Sequence, residues 1–127
     1  MSITLTFVTP PPGFDPLTDF TLFEVDGVDG LYSLQSANGA TARLYALSAA
    51  LYLPHYSPII TDAQVASLEL VTSDDALVLV IANPGETETT VNLMAPIVIN
   101  ATTGLSAQFI LEDQDWPLQV PLSALAG

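Results

Sequence analysis

The chain has 127 residues, half of them hydrophobic and 12% charged, which is the composition of one globular domain over residues 1–127 rather than of a disordered chain. Fourteen acidic residues against one basic residue, Arg43, give a formal charge of -13, which opposes direct contact with nucleic acid or an anionic membrane and favours a basic partner. The absence of cysteine excludes disulfides, thiol chemistry and cysteine-based metal sites.

Residues 3–8 alternate, with Ile3, Leu5 and Phe7 on one side and Thr4 and Thr6 on the other, as a half-buried strand does. The opening "MSITLTFVTPPP" has no basic start and no unbroken apolar core, so it does not read as a secretory signal. "TPPPGFDP" stops the strand, because consecutive prolines cannot serve a sheet ladder. "FTLFEV" (20–25) and "LYSLQS" (31–36) are strand-like, and "DGVDG" (26–30) between them is a turn with two Asp-Gly pairs suited to positive φ. Those aspartates lack the ladder of oxygen ligands and the closing glutamate of a calcium loop.

Residues 42–53, "ARLYALSAALYL", fit either period: Leu44, Leu47 and Leu51 have helical spacing, whereas Tyr45, Leu47, Leu51 and Leu53 fit a strand face. "TDAQVASLEL" (61–70) is the clearest helix, with Thr61 and Gln64 forming a capping box and Asp62 in the first turn. "ALVLVIANPGE" (76–86) reads as a strand buried on both faces and closed by a Pro-Gly turn. Neither it nor "LYALSAALYL" approaches the roughly 18 apolar residues of a membrane span.

Residues 89–99, the loop "NATTG" (100–104) and "LSAQFILE" (105–112) read as a hairpin, followed by an extended "WPLQVPL" (116–122). Val91, Leu93, Ala95, Ile97 and Ile99 share odd parity with Leu105, Ala107, Phe109 and Leu111. Pairing Ile99 with Leu105 puts all of them on one inward face and leaves Pro96 outward, opposite Gln108. A proline inside that strand requires an edge or a bulge. About seven strands and one short helix (about 61–70) give an all-β fold, a small single-domain antiparallel barrel-like fold or sandwich.

Signs of catalysis are few. His55 is the single histidine and has no serine in a nucleophile-elbow pattern, and a small hydrolase would need a serine and an acid within reach of it. "EDQD" (112–115) clusters Glu112, Asp113 and Asp115, which in a loop after a strand are more often solvated than an acid/base pair. "NAT" (100–102) spells a glycosylation sequon that matters only in a secreted chain. Phe14, Tyr56 and Trp116 are candidate interface anchors, although Trp116 serves equally well as a plug for one barrel end. A carbohydrate-type ligand-binding β-domain is the alternative reading, and it needs a more concentrated set of aromatics than this chain has.

"VNLMAPIVIN", a turn, "QFILED" and "DWPL" together resemble the flagellar assembly factor FliW family. "PPGFDPLTDFTLFEV", "LYSLQS", "YLPHYSP", "TDAQVASLEL" and "ALVLVIANPGETETTVNL" agree in order, over about residues 1–122. The chain departs from the family's usual pattern at Ser48-Ala49, at His55, at Trp116 where tyrosine is usual, and at Gln119-Val120 where a basic pair is usual. The resemblance implies a strand at 42–47. It also implies a cytoplasmic, monomeric protein that needs no cofactor, does no catalysis and binds flagellin. When free, such a protein binds the small basic RNA-binding regulator CsrA and blocks its RNA binding allosterically. On that footing Glu112, Asp113 and Asp115 face CsrA, and an apolar groove near Phe14, Tyr56 or Trp116 holds a flagellin helix.

Overall fold

A computed structural model describes residues 2–8, 18–25, 27, 30–36, 43–52, 56, 60–71, 75–84, 89–111 and 120–121. The strands are β1 (Ser2–Phe7), β2 (Asp19–Glu24), β3 (Leu31–Ser36), β4 (Arg43–Ser48), β5 (Ala76–Pro84), β6 (Thr89–Asn100), β7 (Leu105–Gln108) and β8 (Val120–Pro121). A single helical turn, α1 (Ala49–Tyr52), follows β4, and the short helix α2 (Asp62–Ser67) precedes β5. The described part of the ambiguous stretch, residues 43–52, thus holds both periods in succession, a strand and then a helical turn.

The sheet order is β5-β4-β3-β2-β1-β7-β6-β8, and β5 also pairs with β6, which closes seven strands into a ring with β8 added on β6. Closure leaves few unpaired sheet edges. All pairings are antiparallel except β1 with β7, where Thr6 and Phe7 run parallel to Leu105 and Ser106.

Period-two patterning fills the ring. Leu5, Phe7, Phe20, Leu22, Leu34, Ala46, Leu79, Ile97 and Ile99 form the inner core. The Phe7 and Phe20 rings meet edge to face with centroids 5.3 Å apart. On β7 the inward residue is the buried Ser106, whose hydroxyl donates to the Gly104 carbonyl oxygen. Ile3, in phase with Leu5 and Phe7, is 41% exposed at the start of β1.

The outer face of β4, β5, β6 and β7 is covered as well. Leu47, Ala49, Val80, Ala82, Val91 and Leu93 form a second cluster with Tyr52 and Tyr56 against it. Leu68 packs on Val98 and Ala107 in a third, joined by Ile60, Leu70, Leu105 and Phe109. The chain between β4 and β5 therefore supplies an outer layer, which is why β5 and β6 are apolar on both faces.

α2 starts as its sequence dictates: the Thr61 side chain accepts from the Gln64 backbone N–H at 3.1 Å, and the Gln64 side chain accepts from the Thr61 N–H at 2.8 Å. Its far end is held by Asn100, which is buried and donates to the carbonyls of Leu68 (2.9 Å) and Glu69 (3.2 Å). The Asn100 oxygen accepts from the N–H groups of Thr102 and Thr103. The sequon asparagine is thus committed on both sides of its amide inside the fold.

The hairpin register expected from parity is wrong by one residue. Ile99 pairs with Ser106, Val98 with Ala107 and Ile97 with Gln108. A one-residue shift turns every side chain over, so Leu105, Ala107 and Phe109 join Val98 under α2 rather than Ile97 and Ile99 inside the ring. Pro96 is buried, with the parity of Val98 rather than of Ile97 and Ile99. The cause lies in the connection, where Asn100 organises a turn ending at Gly104, whose φ is +83° and whose N–H donates to the Asn100 carbonyl oxygen.

Gly104 is fixed twice, by that left-handed conformation and by space: a Cβ there would stand 2.6 Å from the Thr4 carbonyl oxygen. The adjoining Gly104 carbonyl accepts the Thr6 N–H at 2.9 Å at the parallel seam. Gly104→Ala combines positive-φ strain with a backbone collision and is expected to destabilise the fold by about 2 kcal/mol or more. Urea unfolding of the two proteins measures it, and an unchanged midpoint would show that the seam does not depend on this close approach.

Candidate protein-binding site

The Pro96 region is a bulge, as a proline in this strand demands. Ile81 pairs with Asn92 and Leu79 with Ile97, so residues 93–96 of β6 lie opposite the single residue Val80. The bulge reverses the phase of the strand. Val91 and Leu93 pack in the outer cluster with Val80 and Ala82, whereas Ile97 and Ile99 enter the inner core. The unbroken odd-numbered apolar series hides this change of face.

Side chains satisfy the backbone groups that the bulge releases. Asn92 Oδ1 accepts from the N–H groups of Met94 (3.0 Å) and Ala95 (3.2 Å). Tyr56 Oη donates to the Leu93 carbonyl at 2.5 Å, and Gln108 Nε2 donates to the Ala95 carbonyl at 3.1 Å. The Met94 and Pro96 carbonyls accept from the N–H groups of Leu111 (2.7 Å) and Phe109 (3.1 Å). Pro96 itself brings no donor that would need a partner.

Of the sequence-derived candidates, Tyr56 is the one whose surroundings are described. It is half-buried against the outer cluster, and burial holds its hydroxyl in the neutral, donating form well above the ordinary tyrosine value. Phe14, Glu112, Asp113, Asp115 and Trp116 lie outside the described residues. Their points of attachment are defined. Residues 112–119 leave from Leu111, bonded to Met94, and rejoin at Val120, paired with Val91. Tyr56 and both ends of the segment carrying the acids and Trp116 therefore meet β6 within residues 91–94.

Strand directions give the frame. β1, β3, β5 and β7 end, and β2, β4 and β6 begin, at one end of the ring, so the connections that carry Phe14 and residues 112–119 start there. The sequence reading missed Asn92, Gln108 and Asn100. An asparagine followed four residues later by proline is the available signal for Asn92, since such side chains bond the backbone a few residues on. Among the described residues there is no group of three or more histidine or carboxylate side chains placed to hold a metal, and no helix long and apolar enough to cross a membrane.

A family model for the FliW protein matches residues 2–122. Flagellar assembly factor FliW of Clostridioides difficile (strain 630) is 29% identical over 112 residues, covering 87% of this chain and 86% of that protein. Its counterpart in Thermotoga neapolitana is 31% identical over 115 residues, covering 88% and 77%. A crystal structure of the flagellar assembly factor FliW superposes with a TM-score of 0.87 at 27% identity, covering 94% of this chain and 84% of that one. The family-model match and the superposed fold thus define a protein of the flagellar assembly-factor class. The chain belongs to the FliW family, and its role is in flagellar assembly.

Removing the Tyr56 hydroxyl leaves the Leu93 carbonyl without this donor. Tyr56→Phe is expected to cost about 1–2 kcal/mol of stability near neutral pH. Because burial in the folded state holds Tyr56 neutral to higher pH than in the unfolded chain, its contribution is complete below the unfolded value of 10.0 and declines as pH rises above it. The stability gap between wild type and Tyr56→Phe, read by urea unfolding at successive pH values, should therefore narrow above pH 10. A gap that stays constant would mean that the hydroxyl is not coupled to folding.

Proposed function

We propose that this protein is a non-catalytic, cytoplasmic partner-switching factor. It holds flagellin while flagellin is unexported and, once released, binds CsrA and blocks its RNA binding allosterically. Membership of the FliW family supports the flagellar role. The observation that carries the choice of a basic partner is the charge of -13 with a single basic residue, which speeds and orients encounter with a basic protein and repels RNA itself.

Glu112, Asp113 and Asp115 supply the CsrA surface, and Phe14, Tyr56 and Trp116 border an apolar groove for a flagellin helix. Leu111, bonded to Met94, and Val120, paired with Val91, bracket residues 112–119 beside the carbonyl that Tyr56 engages, which supports assigning that segment and Tyr56 to neighbouring surfaces. A monomer presenting two adjacent surfaces can exchange partners without chemistry, provided each ligand alters the affinity for the other.

Reversing all three acids (Glu112→Lys, Asp113→Lys, Asp115→Lys) should weaken CsrA binding about tenfold or more and flagellin binding by much less. Titration calorimetry with each purified partner distinguishes these. Equal losses would contradict separate surfaces, and a CsrA affinity indifferent to ionic strength would defeat electrostatic steering.

A further inference from the structure

On the outer face of the ring, register sets two aromatic side chains in one cross-strand row. Phe23 of β2 stands opposite Ser33 of β3, and Ser33 opposite Tyr45 of β4. Their sequence neighbours Leu22, Leu34 and Ala46 all enter the inner core, so the three residues of the row point outward. Phe23 is 39% exposed. Tyr45 is half-buried, with its side chain packed against the outer cluster. Among the described residues its hydroxyl has no hydrogen-bond partner, and no buried side-chain oxygen or nitrogen lacks one, so this hydroxyl meets water.

Between the two rings the row is polar. Ser33 is buried, and its hydroxyl accepts from Gln35 Nε2 at 3.3 Å. The next outward row holds Thr4, Thr21 and Gln35, paired in that order. Two inter-strand steps put Phe23 and Tyr45 roughly 10 Å apart. The backbone beneath them is committed, since β3 pairs with both β2 and β4, and β4 with both β3 and β5. A partner strand therefore has no edge to extend here. An amphipathic helix needs a continuous apolar groove, which Ser33, Thr21 and Gln35 interrupt.

We infer that this row docks a proline-rich segment of a protein partner in the polyproline II conformation, with prolines three residues apart lying on Phe23 and Tyr45. That helix has three residues per turn and a rise of about 3.1 Å, so positions i and i+3 recur along one edge every ~9.3 Å, close to the separation of Phe23 and Tyr45. Its backbone makes no internal hydrogen bonds, and the Tyr45 hydroxyl is available to donate to a carbonyl that it leaves open. Its shape is preformed, so two anchors on a shallow surface suffice without a large ordering cost. The charge of -13 turns away acidic segments and leaves a neutral or basic one acceptable. The inference does not rest on the roles given to Tyr56 or to residues 112–116.

Decaproline is the probe, titrated into the full-length 15N-labelled protein, with a glycine–serine decapeptide and cellohexaose as comparisons. Saturable binding of decaproline alone is expected, with the largest amide shifts at residues 21–25, 31–35 and 44–47. Affinity should fall about tenfold in Phe23→Ser and about threefold in Tyr45→Phe. Tyr45→Phe keeps the packed ring and removes one oxygen already in water, so its spectrum reports binding even if Phe23→Ser unfolds. Absence of saturable shifts, an undiminished affinity in folded Phe23→Ser or in Tyr45→Phe, or cellohexaose binding at this row in preference to decaproline would each overturn the inference.

Discussion

The structure depends on how β6 passes through its own proline. A strand of twelve residues, Thr89–Asn100, must face the outer cluster in its first part and fill the ring in its second. An uninterrupted strand cannot do this with the residues it has. Its odd positions from Val91 onward are all apolar, and the two requirements put odd positions on opposite faces. Four residues opposite one change the phase, and proline suits the insertion because a bulge already forgoes ladder bonds. The remaining cost, released backbone groups in an apolar wall, is met by Asn92, Tyr56 and Gln108. These come from the strand itself, the β4–β5 connection and β7, so the bulge holds three separate parts of the chain in register.

That arrangement explains which features were legible in the sequence. Strands with one buried face announce themselves: Leu5 and Phe7, or Phe20 and Leu22, alternate with polar residues and lie where alternation puts them. The capping box of α2 is equally local, since Thr61 and Gln64 satisfy one another without reference to the rest of the fold. The register of the β6–β7 hairpin is not local. The parity of Val91 through Ile99 is identical whether or not a phase change intervenes, and parity carries no sign of which face a third element will cover. Leu68 and Asn100, 32 positions apart, decide it by fixing α2 over Val98 and Ala107. The site residues were legible as residue types rather than as a constellation. Tyr56 was identified as an exposed anchor, whereas its bond to Leu93 follows from a bulge whose size no spacing revealed.

The departures from the family pattern fall where this frame makes them meaningful. Ser48-Ala49 is the point at which β4 gives way to α1, and both residues are buried, with the Ser48 N–H held by the Gly30 carbonyl. A change there acts on how α1 sits over Gly30. Gln119-Val120 adjoins β8, two residues that add to β6 beside Val91. With neutral residues there, the segment from Glu112 to Val120 contains three acids and no basic residue.

A closed ring makes spatial separation of surfaces a matter of topology. Connections at one end begin and finish on strands that run the height of the ring, each paired with a neighbour on both sides, the β1–β7 seam by only Thr6 with Leu105 and Phe7 with Ser106. The bulge of β6 is satisfied by side chains rather than by regular ladder bonds. Side-chain bonds to a bulge can be exchanged singly, whereas a ladder shifts only as a register. Tyr56 is central to that difference: it packs on the same outer cluster as Leu31 and Tyr52, and it bonds the strand that Leu111 and Val120 flank. Any communication between the two ends of this barrel is therefore expected to run through the outer cluster and the Tyr56–Leu93 bond, and not through the close-packed interior of Phe7, Phe20 and Ile99.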